Sequence, residues 1–106
     1  MRVHYTAAVG YVWLEITLAA LRGLEPYEVL QALGSRRRYP VPGRSEQGIQ
    51  VLTIWARTSA GRPLVVALRK IPDSRRDWWI VGARELDESE LALFEQWERK
   101  AGDDHD

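Results

Sequence analysis

Apolar residues form three strand-like runs in the second half of the chain. These runs are IQVLTIWART at 49–58, PLVVALRKI at 63–71 and DWWIVGAR at 77–84. The breaks between them, SAGR and PDSR, are each short enough for a hairpin. The pattern therefore predicts an antiparallel meander of three strands.

Helical spacing appears on both sides of this meander. The first helix is predicted to begin at Glu15 and end at Gly23, with an apolar stripe of Ile16, Ala20 and Leu21. A second is predicted to have Pro26 in its first turn and to end at Gly34, with Val29, Leu30 and Leu33 on one face.

A third helix is predicted at the end of the chain. Asp87 and Glu90 have the spacing of a capping box, and apolar residues follow at helical intervals at Leu91, Phe94, Trp97 and Ala101. The alternating residues before Gly10 indicate a short strand ending near Trp13, and the turn-rich segment 35–48 is predicted to be a loop.

This order of elements predicts the fold class. We expect one α+β domain over residues 1–106, frayed at 1–10 and 102–106, with helices on one face of a small, mostly antiparallel sheet. The chain has no cysteine, which excludes disulfides, thiolate metal sites and cysteine nucleophiles. No apolar run reaches 18 residues and no signal peptide is apparent, so we expect a cytoplasmic protein.

Charge is distributed unevenly although the formal net charge is zero. Residues 36–84 contain eleven basic and three acidic residues, a net charge of +8, whereas 85–106 contain two basic and nine acidic residues, a net charge of −7. Such asymmetry favours an anionic partner for the basic part, and solvation or self-shielding by the acidic part. Thirteen of the 15 basic residues are arginine, which suits bidentate phosphate contacts, although genomic bias toward arginine is an equal explanation.

Arginine and aromatic residues share the predicted sheet. On the strand 49–58, Trp55 and Arg57 point to one face, and either Arg69 or Lys70 joins them from the next strand. A face of this kind suits RNA, because guanidinium groups bind phosphate and aromatic rings stack on unpaired bases. We predict RNA contacts at five residues: Arg36, Arg37, Arg38, Trp55 and Trp79.

The same cations could stabilise the charge that develops when RNA is cleaved, without a metal or cofactor. The predicted catalytic residues are Arg57, Arg84, Arg69 and Lys70, with Lys70 or Glu85 as the general base. Neither histidine has metal-ligand spacing. Core packing is the alternative explanation for the tryptophans, and a solvated loop for Arg36 to Arg38.

Three segments resemble the BrnT-type toxins of bacterial toxin–antitoxin modules, which are small ribonucleases with a RelE-like fold. The segments are LRGLEPYEVLQAL, WARTSAGRPLVVAL and IVGARELDESELALFEQWE. The resemblance covers most of residues 11–98 and implies an endoribonuclease that inhibits translation and is neutralised by a cognate antitoxin. By position, Arg57 and Arg84 match arginines of the family motifs.

The chain also departs from that family. Arg22 stands where the family usually has a histidine, and Trp97 lies close to the position of its tyrosine. The alternative to a ribonuclease toxin is therefore a non-catalytic interaction domain that binds nucleic acid or a partner protein through the basic loop and the tryptophan-rich sheet. A homodimer and a toxin–antitoxin hetero-oligomer are both compatible with the sequence.

Overall fold

The structure is a computed structural model that describes residues 3–5, 10–45 and 47–103. It contains three helices, α1 (Glu15–Ala20), α2 (Pro26–Leu33) and α3 (Glu88–Asp103). Six strands form its sheet: β1 (Val3–Tyr5), β2 (Tyr11–Leu14), β3 (Tyr39–Arg44), β4 (Gln50–Arg57), β5 (Pro63–Lys70) and β6 (Trp78–Glu85).

The strands lie in the order β1-β2-β6-β5-β4-β3. Only β2 and β6 pair in parallel, and every other neighbouring pair is antiparallel. The α+β class and the three-strand meander are thus confirmed, with strand ends within one residue of the predicted ones. The predicted N-terminal strand is present as β1 and β2.

Strand β3 corrects the prediction of a loop over 35–48. It pairs with β4 from Tyr39↔Trp55 to Arg44↔Gln50 and forms an edge of the sheet. Proline has no backbone N–H, so it fits a strand only where the N–H would point away from the partner strand. Pro40 and Pro42 alternate along β3 and therefore occupy the positions whose backbone groups point away from β4. The same prolines would disrupt a central strand, which needs hydrogen bonds on both sides, but they are compatible with an edge strand.

Helices cover both faces of the sheet, whereas the sequence predicted one. On one face, α2 packs Val29, Ala32 and Leu33 against Ile54, Val66 and Ile80 of the central strands. On the other, α3 packs Phe94 against Trp55 and Val65, with Leu91 and Trp97 beside it. Because neighbouring residues of a strand point to opposite faces, the alternating side chains of β4 and β5 supply both cores.

The helices differ in how well the sequence predicted them. Helix α1 ends at Ala20, before the predicted stop, and its predicted apolar stripe is wrong because Ile16 is exposed and Thr17 is buried. Helix α2 has its predicted bounds. At α3, Asp87 Oδ1 accepts the Glu90 amide at 2.8 Å and Glu90 Oε1 accepts the Asp87 amide at 2.9 Å, which confirms the capping box.

Within the described ranges, no helix has both the length and the apolar character needed to cross a bilayer.

Candidate functional site

Strand register places the predicted cations on two faces and at two ends of the sheet. Arg69 pairs with Trp79 across β5 and β6, and Arg84 pairs with Val65, so all of these side chains point to the α3 face. Lys70 points to the opposite face, where its Nζ lies 5.0 Å from the centre of the Trp78 ring. Arg69 is therefore the residue that shares a face with Arg57.

Arg57 and Arg69 do not converge, however. Arg57 pairs with Pro63 at the beginning of β5, and Arg69 is six residues further along that strand. At the usual rise per residue this separates their backbones by roughly 20 Å. The predicted catalytic set of Arg57, Arg84 and either Arg69 or Lys70 therefore does not form one cluster.

Helix α3 crosses the end of the sheet where β4 finishes, and its carboxylates neutralise the arginines there. We call this the paired end and define it by Arg57, Arg62 and Arg84. Arg57 donates from Nε and Nη2 to the two carboxylate oxygens of Glu98, both at 2.9 Å, and from Nη1 to the Gly61 carbonyl at 3.0 Å. Its guanidinium carbon also lies 5.6 Å from the centre of the Phe94 ring.

The other two arginines of the paired end have similar partners. Arg84 donates from Nη1 and Nη2 to the carboxylate of Glu90 at 2.7 and 2.9 Å. Arg62 bridges Glu28 of α2 at 3.2 Å and Glu85 of β6 at 3.0 Å. These pairs join β4, the β4–β5 turn and β6 to the helices on both faces.

The pairing fixes the protonation states. Hydrogen bonds from Arg57 and Arg84 lower the pKa of Glu98 and of Glu90, respectively, and the carboxylates in turn raise the pKa of each arginine. The pKa of Glu85 is lowered by its hydrogen bond from Arg62. A lowered pKa is the opposite of what a general base at neutral pH needs, so Glu85 does not fit its predicted role.

Cations without carboxylate partners gather at the other end of the sheet. The β3–β4 and β5–β6 connections both lie there, because alternate hairpins of a meander turn at the same end of the sheet. We call this the open end and define it by Arg44, Arg69, Lys70, Arg75 and Arg76. Among the described residues, none of these five side chains has a carboxylate oxygen within 4.0 Å.

The open-end side chains have few other constraints. Arg44 donates to the Gly48 carbonyl at 2.8 Å, and Lys70 donates to the Arg75 carbonyl. The guanidinium groups of Arg69, Arg75 and Arg76 make no hydrogen bond within the described part of the chain. These cations are therefore available to an external anion.

An uncovered trough connects the two ends on the α3 face. It has a volume of about 330 Å³, with Arg44 at one side and Arg84 at the other. Between these two arginines, the lining consists of small or β-branched residues of β4, β5 and β6: Val51, Thr53, Val65, Ala67, Val81, Gly82 and Ala83. Tyr39, Trp55 and Val65 lie side by side on neighbouring strands, and α3 covers them. The next row of side chains toward the open end is not covered by the helix, and this leaves the trough.

The predicted RNA-binding residues have different surroundings. Trp55 is only 8% exposed beneath α3, and its indole N–H donates to the Thr53 hydroxyl. Trp79 is half-buried on the trough face beside Arg69. Core packing therefore accounts for Trp55, whereas Trp79 stays a candidate contact.

Two of the three loop arginines are used to hold the fold. Arg37 donates to the Glu98 carbonyl of α3, and Arg38 donates to the Leu33 carbonyl at the end of α2 at 2.8 Å. Arg36 has no such bond within the described residues. This segment lies beside the paired end and ties α2 to α3, rather than extending the open end.

Sequence reasoning missed Arg44, Arg75 and Arg76 as candidate ligand-binding residues. Arg44 was placed in a loop because two prolines precede it, although the alternation of apolar side chains in YPVPGR was a usable signal. It also missed Glu90 and Glu98 as arginine partners. The opposite charges of residues 36–84 and 85–106 were the available signal, since self-shielding by the acidic part was one of the two expectations.

No group of three or more potential metal ligands occurs in the part of the chain that the structure describes. Comparison with protein-family models, curated proteins and solved structures finds no significant match. The resemblance to BrnT-type toxins therefore rests on the three sequence segments alone.

Proposed function

We propose that this chain is a binding domain for single-stranded RNA, which it contacts through the open end and the trough. The observation that carries this proposal is the separation of the arginines into a paired end and an open end. Of the unpaired cations, Arg44 lines the uncovered trough and Arg69 points to the same face of the sheet.

Energetics favour the open end as the phosphate site. A phosphate that approached Arg57 would have to displace a bidentate carboxylate, and Glu98 would then lose its partner in a half-buried position. A phosphate that approaches Arg69 or Arg75 displaces only water and counterions. Binding energy is therefore gained at the open end without breaking contacts that hold α3.

The trough favours a single strand over a duplex. Its lining is mainly apolar and offers surface for the flat faces of unpaired bases, which are hidden in a duplex. Trp79, half-buried on the same face, adds an aromatic surface beside Arg69. Cations combined with surfaces on which bases pack are the usual means of binding single strands.

The second candidate is the ribonuclease toxin that the resemblance implies. Arg84 favours it, since a guanidinium held by Glu90 at the wall of the trough could stabilise a developing phosphorane charge. Against it, every carboxylate with a resolved pKa shift among the described residues has a lowered pKa. The implied antitoxin, a homodimer and a cytoplasmic location stay predictions.

Binding can be tested by fluorescence anisotropy with a labelled 12-nucleotide oligouridine over a series of salt concentrations. We expect the affinity to fall as salt rises, with a log–log slope of about −0.7 for each phosphate contact. The test variant is Arg69→Glu combined with Arg75→Glu. The matched control is Arg99→Glu combined with Lys100→Glu on α3, because it changes the charge equally and also replaces exposed residues.

The outcomes separate the possibilities. The proposal expects weaker binding and a shallower salt slope for the open-end variant, with the control close to the parent chain. Equal losses in both variants would show binding by overall charge and would overturn the assignment of the site. Absence of RNA binding by the folded parent chain would overturn the proposal and favour a protein partner.

Cleavage is tested on the same samples. RNA incubated with the chain in the presence of a metal chelator should remain intact on a gel, and expression of the chain in a bacterial host should leave growth and total RNA unchanged. Cleaved RNA together with growth arrest, both abolished by Arg57→Ala with Arg84→Ala, would establish the ribonuclease instead.

A further inference from the structure

Arg57 and Arg84 each hold a glutamate by two hydrogen bonds, but they use different edges of the guanidinium group. Arg57 uses Nε and Nη2, the side edge, for Glu98 and gives Nη1 to a carbonyl. Arg84 uses Nη1 and Nη2, the end edge, for Glu90, and Nη1 also donates to the Glu85 carbonyl at 3.1 Å.

This difference leaves Arg84 with a free pair of donors. An arginine has five N–H groups in a planar fork. In Arg84, the Nε–H and one Nη2–H point in parallel from the side edge and have no partner within the described residues. In Arg57 the corresponding edge is occupied by Glu98. Arg84 thus presents a ready-made bidentate donor, and Arg57 does not.

The free edge belongs to a residue that lines the trough. Arg84 is one wall, and the neighbouring floor is formed by Ala67 and Gly82, which face each other across β5 and β6. A Cβ built on Gly82 would lie 3.9 Å from the Cβ of Ala67, so this part of the floor is flat and without side-chain bulk. It offers surface for a planar ring beside the guanidinium.

We propose that this end of the trough is a subsite for one unpaired guanine, recognised by the side edge of Arg84. The inference rests on the proposed function and names the base that the same site selects. Guanine O6 and N7 are two parallel acceptors that match the Nε–H and Nη2–H donors. Adenine presents one acceptor and one donor along the same edge, so it satisfies one hydrogen bond and opposes the other.

A base fits this position better than a phosphate. The floor beside Arg84 is apolar at Ala67 and Gly82, and the Thr53 hydroxyl already donates to the Val41 carbonyl and accepts from Trp55. Phosphate groups are strongly hydrated and lose that hydration against an apolar floor, whereas a purine ring gains contact there. The unpaired cations of the open end serve the phosphates instead.

Glu90 is a positioning residue in this arrangement. It orients the Arg84 guanidinium by two hydrogen bonds, and it is itself fixed by the Asp87 amide at 2.9 Å in the capping box. The turn that begins α3 therefore holds the arginine in one orientation before any ligand arrives. A preoriented fork loses less conformational freedom on binding than an arginine without such partners.

The experiment measures affinity for four 12-nucleotide RNAs in a uridine host. They carry uridine, guanine, adenine or 7-deazaguanine at the same central position, which avoids the self-association of guanine runs. We expect the guanine RNA to bind about tenfold more tightly than the adenine and uridine RNAs. The 7-deazaguanine RNA, which lacks the N7 acceptor, should lose most of that preference.

Two variants locate the effect. Arg84→Lys keeps the charge but has no fork, and it should reduce the ratio of the guanine and uridine affinities to less than twofold. Gly82→Leu fills the subsite from the floor, and it is sterically acceptable because Gly82 does not have a positive φ. It should abolish the preference without any change of charge, and circular dichroism checks that each variant is folded.

The two proposals fail in distinguishable ways. If the parent chain binds all four RNAs with equal affinity, the guanine subsite is wrong and the RNA-binding function stands. If a guanine preference is found and Arg84→Lys retains it, the assignment to Arg84 is wrong. If none of the four RNAs binds, the proposed function itself fails.

Discussion

Arginine side chains have opposite surroundings at the two ends of the sheet. At the paired end, Arg57, Arg62 and Arg84 each hold a carboxylate of another element, and these pairs join the helices to the sheet. At the open end, Arg69 and Arg75 hold none among the described residues. The number of arginines in the sequence therefore does not give the number of arginines that are available to a ligand.

The comparison also shows what the acidic C-terminal segment does. Its glutamates on α3 lie against Arg57 and Arg84, and they leave the other end of the basic segment unpaired among the described residues. Neutralisation of one end concentrates the accessible positive charge at the other. A chain with a net charge of zero thereby presents a cationic surface.

The largest effect is expected from removing the apolar contact beneath the paired end. Phe94 is fully buried between α3 and the sheet, where it contacts Trp55 and Val65. Phe94→Ala should lower the free energy of unfolding by about 3–5 kcal/mol, measured by urea denaturation, because the ring's burial is lost and a cavity is left in its place.

Leu93→Ala is the matched control for that experiment. Leu93 is the neighbouring residue on α3 and is 56% exposed, so its loss should change the free energy of unfolding by less than about 1 kcal/mol. Equal effects of the two substitutions would contradict the packing of α3 on this face.

A smaller effect is expected from breaking one ion pair of the paired end. Glu98→Gln should lower the free energy of unfolding by roughly 1–2 kcal/mol, because Arg57 keeps only part of its hydrogen bonding and both side chains are at least two-thirds buried. Glu95→Gln should have almost no effect, since Glu95 is 4.0 Å from the same arginine and half exposed. Chemical denaturation of both variants under one condition sharpens the comparison.

The paired end should also make stability depend on pH. The pKa values of Glu90 and Glu98 are lowered in the folded chain by their arginine partners. Their stabilisation is therefore fully present above the ordinary glutamate value of about 4.3 and is lost as the pH falls through the lowered values. Thermal unfolding between pH 7 and pH 3 should show this loss, and Glu98→Gln should show less of it.

The smallest effect is expected at the open end. Arg69→Gln and Arg75→Gln should each change the free energy of unfolding by no more than about 0.5 kcal/mol, because neither guanidinium has a partner within the described residues. The same substitutions should weaken RNA binding. If they destabilise the chain as much as Glu98→Gln does, the division into two ends is wrong.

The fold was largely predictable because it depends on local patterns. The runs that became β4, β5 and β6, the capping box at Asp87 and the proline that begins α2 are all local signals, and the structure confirms them. The failures were at positions where tertiary context outweighs the pattern. Strand β3 tolerates Pro40 and Pro42 because it lies at an edge of the sheet, and that position is set by tertiary pairing with β4.

The site was less predictable because it depends on distances between elements. Alternation along a strand correctly placed Trp55 and Arg57 on one face, yet it could not show that α3 would bury Trp55 and that Glu98 would occupy Arg57. The separation of Arg57 from Arg69 required the register of β4 and β5. Which of Arg69 and Lys70 faces the trough also depended on which face α3 covers.

The two prolines of β3 also affect how the sheet can meet a second copy of the chain. An exposed strand edge invites the sheet of another chain to grow onto it. At Pro40 and Pro42, β3 has no amide N–H to donate to an added strand. This edge is therefore a poor template for strand pairing between chains.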